Sequence, residues 1–191
     1  MKNQDELLFY NLNKFKLSLG DILNIYFTYK KIKKGCYIDI NKKLSNNFNN
    51  ILVQYKLKYK KYVDFDKNSD HYFISKKIDP INIDFIKNNC YNNLKCYNHI
   101  EIGKFLGYGC VHNLIKDNPC KKGYVLSVQY INKNKNIVEH IYDFCCLKID
   151  INIINNTLQI IHKMNYFIHK YLSNKLKGYI QLSILKLKDI Q

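Results

Sequence analysis

An α+β fold follows from three features of this 191-residue sequence. Stretches with apolar residues at helical spacing alternate with stretches whose apolar residues recur at every second position. Two pairs of the latter are joined by short polar links, as in hairpins. Apolar residues make up 47% of the chain, enough for one core. The expected architecture is two antiparallel β-hairpins forming a mixed or antiparallel sheet, packed by helices on one face, in a single domain spanning 1–191.

Leu8, Leu12, Phe15 and Leu19 recur at helical spacing behind Asp5 and Glu6, whose charges suit the positive end of a helix dipole. Ser18 and Asp21 have capping-box spacing and open a second helix, DILNIYFTYKKIKK, which runs to Gly35 with its lysines at the carboxyl end. The Asn-rich stretch NKKLSNNFNN reads as a loop. ILVQYKLKY then alternates, with Ile51, Val53, Tyr55, Leu57 and Tyr59 on one face and Gln54, Lys56, Lys58 and Lys60 on the other, which predicts a half-buried strand. The turn DKNSD joins it to HYFISKK as the first hairpin. Asp79-Pro80 predicts a short helix through Ile81, Phe85 and Ile86, and Asn98 with Glu101 opens another. YVLSVQYI and IVEHIYDFCCLKI, linked by NKNKN, form the second hairpin. A last long helix runs from Asp150 through Ile154, Leu158, Ile161, Ile168 and Leu172 to Gly178, and YIQLSILKLK closes the chain as an edge strand guarded by lysines.

The chain has 31 lysines and no arginine against 15 acids, a formal charge of +16. Asn, Ile and Lys, all with AT-rich codons, supply 84 of the 191 residues. This composition and the segment IGKFLGYGC, residues 102 to 110, resemble small uncharacterised proteins of AT-rich giant nucleocytoplasmic DNA viruses. The resemblance implies a viral protein of the host cytoplasm or the virion and brings no chemistry with it. No apolar run reaches the ~20 residues needed to span a bilayer, and the amino terminus lacks the apolar core of a signal peptide, which together predict a cytoplasmic protein. An odd count of seven cysteines predicts reduced thiols in place of a disulfide framework.

Charge is concentrated between Lys30 and Lys61, where ten lysines face the single acid Asp39. On a strand, Lys56, Lys58 and Lys60 would project from one face at a pitch of about 6.6–6.8 Å, matched to successive phosphates. Lys30, Lys31, Lys33 and Lys34 would flank them, and Lys61 would extend the stripe. These eight lysines are the candidate nucleic-acid-binding residues, and their expected partner is nucleic acid or another polyanion bound without sequence preference, because lysine acts as a point charge. The absence of arginine removes the commonest readout of guanine. Alternatively the lysines only solubilise one strand face, leaving a non-catalytic interaction or structural protein.

GKFLGYGC, residues 103 to 110, holds three of the seven glycines. A phosphate cradle needs its glycines before a helix, whereas these follow the capping signal at Asn98 and match neither nucleotide-binding order. They read as the corner that ends a helix. Cys110, His140 and Asp143 have the chain order of a papain-like thiol hydrolase, the third reading. A thiol just past a helix carboxyl end has its pKa raised, so the sequence leans away from an enzyme. Cys96 and His99 have the spacing of a zinc knuckle, with Cys110 and His112 completing a four-ligand set; zinc is the one cofactor the residue pattern admits. The oligomeric state is left open.

Overall fold

The computed structural model describes residues 4–63, 68–77, 123–146 and 148–186. Among these the class is α+β: four α-helices and six strands, the strands in two separate three-stranded antiparallel sheets. Each of the two expected hairpins anchors a sheet of its own instead of sharing one. The helices expected at Asp79 and Asn98 and the GKFLGYGC corner lie outside the described residues.

Helix α1 (Gln4–Asn13) buries Leu8 and Leu12. Ser18 caps α2 (Leu19–Tyr29): its hydroxyl accepts from the Asp21 amide at 3.0 Å and donates to the Asp21 carboxylate at 2.8 Å, satisfying an orphan amide of the first turn. From Ile22 to Thr28 every residue of α2 is buried, and the helix packs against strands of both sheets. It stops at Tyr29, a full turn and more before the Gly35 end expected from sequence.

The first sheet has the order β1 (Gly35–Asn41), β3 (Ser69–Ser75), β2 (Lys58–Val63). Between β1 and β2 the chain makes a 3-10 turn (Lys42–Leu44) and helix α3 (Ser45–Gln54), which corrects two expectations: the Asn-rich stretch is not a loop, and residues 51–54 are not strand. Phe48, Leu52 and Tyr55 satisfy a helical period as well as Ile51, Val53 and Tyr55 satisfy an alternating one, and contact between Phe48 and the inward Tyr72 of β3, ring centroids 5.0 Å apart, favours the helix. Val53, expected in the core, is 65% exposed.

The second sheet has the order β5 (Ile137–Cys146), β4 (Tyr124–Asn132), β6 (Tyr179–Lys186). Strand β5 carries one extra residue, Ile141, where the register shifts opposite Val128 and Gln129. Helix α2 sits in this bulge: Asn24 Nδ2 donates to the Ile141 carbonyl, and a Cβ at Gly20 would lie 1.9 Å from the His140 carbonyl oxygen, so only glycine fits there. Helix α4 (Ile151–Phe167) starts where expected, with Asp150 as its cap, and continues as a π turn (Ile168–Leu172). Among the described residues β6 is an edge strand, and at its start the guard is Asn165 of α4, whose carboxamide donates to the Ile180 carbonyl at 2.8 Å and accepts from its amide at 2.6 Å. Buried side chains of both sheets and all four helices join one core, and no helix among the described residues is long and apolar enough to cross a membrane.

Candidate polyanion-binding site

The eight candidate lysines divide by what they touch. Lys30 forms an ion pair with buried Asp5 at 2.7 Å, and its ammonium lies over the rings of Tyr26, Tyr29, Phe167 and Tyr171 at 4.8–5.9 Å from their centroids. Lys33 is buried, donating to Asn24 Oδ1 at 2.5 Å with its ammonium 4.0 Å from the Tyr142 ring centroid. Burial pushes its pKa down to about 8. Beside it, burial pushes the Cys36 thiol up to about 11, the opposite shift from that of an activated nucleophile. Lys61 pairs at 3.1 Å with Asp70, whose other partner is the Ser45 hydroxyl. Burial works to raise the Asp70 carboxyl, but the Ser45 hydrogen bond and the Lys61 charge outweigh it and hold the group below its ordinary value. Lys30, Lys33 and Lys61 each have a partner within the fold, and burial takes Lys33 out of the expected stripe.

The stripe itself is also rearranged. Lys58 and Lys60 do share one face of β2, opposite Ser75 and Phe73. Lys61, one residue on, belongs to the other face, and Lys56 precedes the strand in a turn with φ 53°. Asp39, the single acid of the 30–61 stretch, bonds His71 across the first sheet, and the same ring nitrogen meets the Tyr37 hydroxyl.

What converges is a different set. In the first sheet Ser75 stands opposite Gly35 on one side and Lys58 on the other. Lys34, which precedes Gly35, and Lys76 and Lys77, which follow Ser75, therefore meet at one end of the sheet. The buried Ser75 hydroxyl fixes two of these backbones, donating to the Lys34 carbonyl at 3.0 Å and accepting from the Lys77 amide at 3.3 Å. Lys31 and Lys56 reach the same place from two helix ends of one design. Each is the residue after a helix C-cap, each stands in the left-handed region (φ 61° and 53°), and each following amide, of Ile32 and Leu57, bonds back five residues to Phe27 and Leu52.

Lys31, Ile32, Lys33, Lys34, Lys76 and Lys77 line a basin of about 250 Å3. Burial and then the charges of Lys31 and Lys56 pull the Lys76 pKa below its ordinary value, while its ammonium donates to the Tyr55 carbonyl and faces the Tyr29 ring at 4.8 Å. No carboxylate among the described residues pairs with Lys31, Lys34, Lys56, Lys76 or Lys77. Among the described residues the basin thus holds an excess of positive charge with no carboxylate paired to it, even after the two helix carboxyl ends contribute about −0.5 each.

The bulge at Ile141 turns His140 onto the face of Asp143 and Ser127. His140 Nδ1 lies 3.0 Å from Ser127 Oγ and 3.4 Å from Asp143 Oδ1, so one nitrogen serves both neighbours. A proton relay uses opposite ring nitrogens, and the two side chains are 59% and 46% exposed, so this arrangement is a solvated polar cluster. Cys110, its proposed nucleophile, and the possible zinc ligands Cys96, His99, Cys110 and His112 lie outside the described residues; among the described ones no three potential ligands cluster. The chain matches no known protein family, no curated protein and no solved structure.

Proposed function

We propose that this protein binds nucleic acid or another polyanion without sequence preference, through the basin at the end of the first sheet. The residues assigned to contact are Lys31, Lys34, Lys56, Lys76 and Lys77, with Lys58 and Lys60 beside them on β2. The observation that carries the reading is the convergence of Lys31, Lys34, Lys56, Lys76 and Lys77 from three separate chain segments, with no partnering carboxylate among the described residues. Gathering like charges works against folding, and a phosphate-bearing ligand would relieve it. Lysine ammoniums on phosphate oxygens give affinity with little base discrimination, in keeping with a chain that has no arginine.

The test is titration of a labelled single-stranded DNA over a range of salt. The expected log–log plot is linear with a slope reporting several displaced counterions, and replacing Lys31, Lys34 and Lys77 together with Gln is expected to reduce that slope by about 2. All three are exposed, so the fold should tolerate the change. Binding that ignores salt, or a slope unaltered in the triple variant, would sink the proposal.

A second reading rests on Lys31 and Lys56 standing at helix carboxyl ends, where a cation stabilises the helix dipole. In that case the lysines serve the fold of a non-catalytic interaction protein, and the triple variant loses stability without any change in anion binding.

A further inference from the structure

Resting on the polyanion reading, we infer that this basin takes a compact polyphosphate, a run of three linked phosphoryl groups, and not the side of an extended nucleic-acid backbone. A site that tracks a backbone needs charges in a row. Here the row is broken: Lys30 and Lys33 point inward, Lys61 is on the opposite face of β2 bound to Asp70, and Lys56 is off the strand. The ammoniums of Lys31, Lys34, Lys76 and Lys77 instead line one depression, with Lys56 close to Lys76, as suits a ligand that concentrates several charges where an extended backbone strand presents about one per 6.6–6.8 Å.

Two observations narrow the ligand further. The basin of about 250 Å3 lies just below the ~300 Å3 at which pockets for larger organic ligands begin. Among the described residues the aromatic rings that meet basin lysines are already engaged: Tyr29 is faced by the ammoniums of Lys76 at 4.8 Å and Lys30 at 5.4 Å and meets Tyr55 edge-on, and Tyr142 is faced by Lys33 at 4.0 Å. The backbone adds a third. The left-handed region strains lysine where glycine is at ease, and of the three described lysines that stand in it two, Lys31 and Lys56, come together at this basin, the third being Lys16 after α1. Glycine would close either helix equally well and bring no ammonium.

The chemistry has two sources, a free polyphosphate compound and the 5′-triphosphate end of an RNA. The full chain is titrated with two RNAs of one sequence, one 5′-triphosphorylated and one 5′-hydroxyl, with sodium tripolyphosphate and orthophosphate as competitors. The inference expects tripolyphosphate to compete at least about tenfold better than orthophosphate, since each charge-assisted contact adds ~1.5–3 kcal/mol. If the triphosphorylated RNA also binds about tenfold tighter than its hydroxyl twin, the ligand is an RNA end; if the two bind alike, it is the free compound. Replacing Lys31 and Lys77 with Gln should weaken tripolyphosphate about tenfold, whereas replacing Lys135 and Lys163, exposed on the β4–β5 turn and on α4, should leave it within about twofold. If both RNAs bind and tripolyphosphate competes no better than orthophosphate, the compact site is wrong and the polymer reading stands. If neither RNA nor tripolyphosphate binds, both readings fall.

Discussion

In the five-residue stretch that follows α2, Lys30 and Lys33 turn into the molecule while Lys31 and Lys34 turn to solvent, and the two sides use the same side chain in opposite ways. On the inner side each ammonium has a dedicated partner: Asp5 and four aromatic rings for Lys30, Asn24 and Tyr142 for Lys33. On the outer side the ammoniums have one another for neighbours, with Lys76, Lys77 and Lys56 completing the set. A buried cation is tolerable only with its polar partners in place, whereas an exposed one is free to wait for a ligand. Position within the turn after a helix, and not the local charge density, decides which role a lysine takes.

The largest effect should come from the inner side. Asp5→Asn leaves the Lys30 ammonium, 19% exposed, without its counter-charge, and a loss of about 2–3 kcal/mol in chemical denaturation is expected, with polyanion affinity unchanged within about twofold. A variant as stable as the parent would mean that the aromatic rings alone suffice, and the contrast between the two sides would shrink.

Lys33 sharpens the comparison through pH. Its folded pKa, about 8, lies below its unfolded value of 10.5, so the unfolded chain binds more protons between these limits and the Lys33 contribution to stability rises as pH rises through that window. Tyr26, whose hydroxyl burial raises first and the Asp5 charge second, works the other way above pH 10. Comparison with Lys33→Met isolates the lysine: the difference between the two stability curves should change by about 2 kcal/mol from pH 8 to pH 10. A constant difference would place Lys33 in water and break the contrast.

A smaller effect, of opposite sign, is expected on the outer side. Lys31→Gly and Lys56→Gly should each raise stability by about 1 kcal/mol by removing a left-handed non-glycine residue, and each should weaken polyanion binding. Stability gained with binding intact would make these two lysines mere helix ends. The smallest effect belongs to Lys135→Gln, exposed in the β4–β5 turn, expected within about 0.5 kcal/mol of the parent in thermal melts and within about twofold in binding.

Much of the architecture is legible in the residues. The Ser18–Asp21 cap, the start of the last helix at Asp150 and the NKNKN link between β4 and β5 are each set by local chemistry and stand where sequence puts them. The region from 35 to 57 is not, because its signals conflict. Gly35 reads as the stop of a helix, but it opens β1, whose inward Cys36, Ile38 and Ile40 are too short an alternation to stand out beside an Asn-rich stretch. Residues 51–55 fit both periods, and only Phe48 and Leu52 packing under the first sheet decides between them. For the proposed site, the density of lysine from 30 to 61 takes in Lys31, Lys34 and Lys56 but does not say how they are arranged. Nothing local marks Lys76 and Lys77, which come beside Lys34 through pairing of β3 with β1 and β2, visible only once Ser75 is known to stand between Gly35 and Lys58. Burial of Lys30 and Lys33 is likewise decided by residues distant in the chain, Asp5, Tyr142, Phe167 and Tyr171.

The carboxamide of Asn165, seated on both polar groups of Ile180, does for one step of β6 what a further strand would do for its whole length. Sheet extension by an incoming polypeptide starts with such a paired step, and here the first rung is taken from within the molecule. Exchanging Asn165 for leucine would free that rung beside the exposed Ile184 and Leu185 and turn the margin of the second sheet into a seed for intermolecular growth.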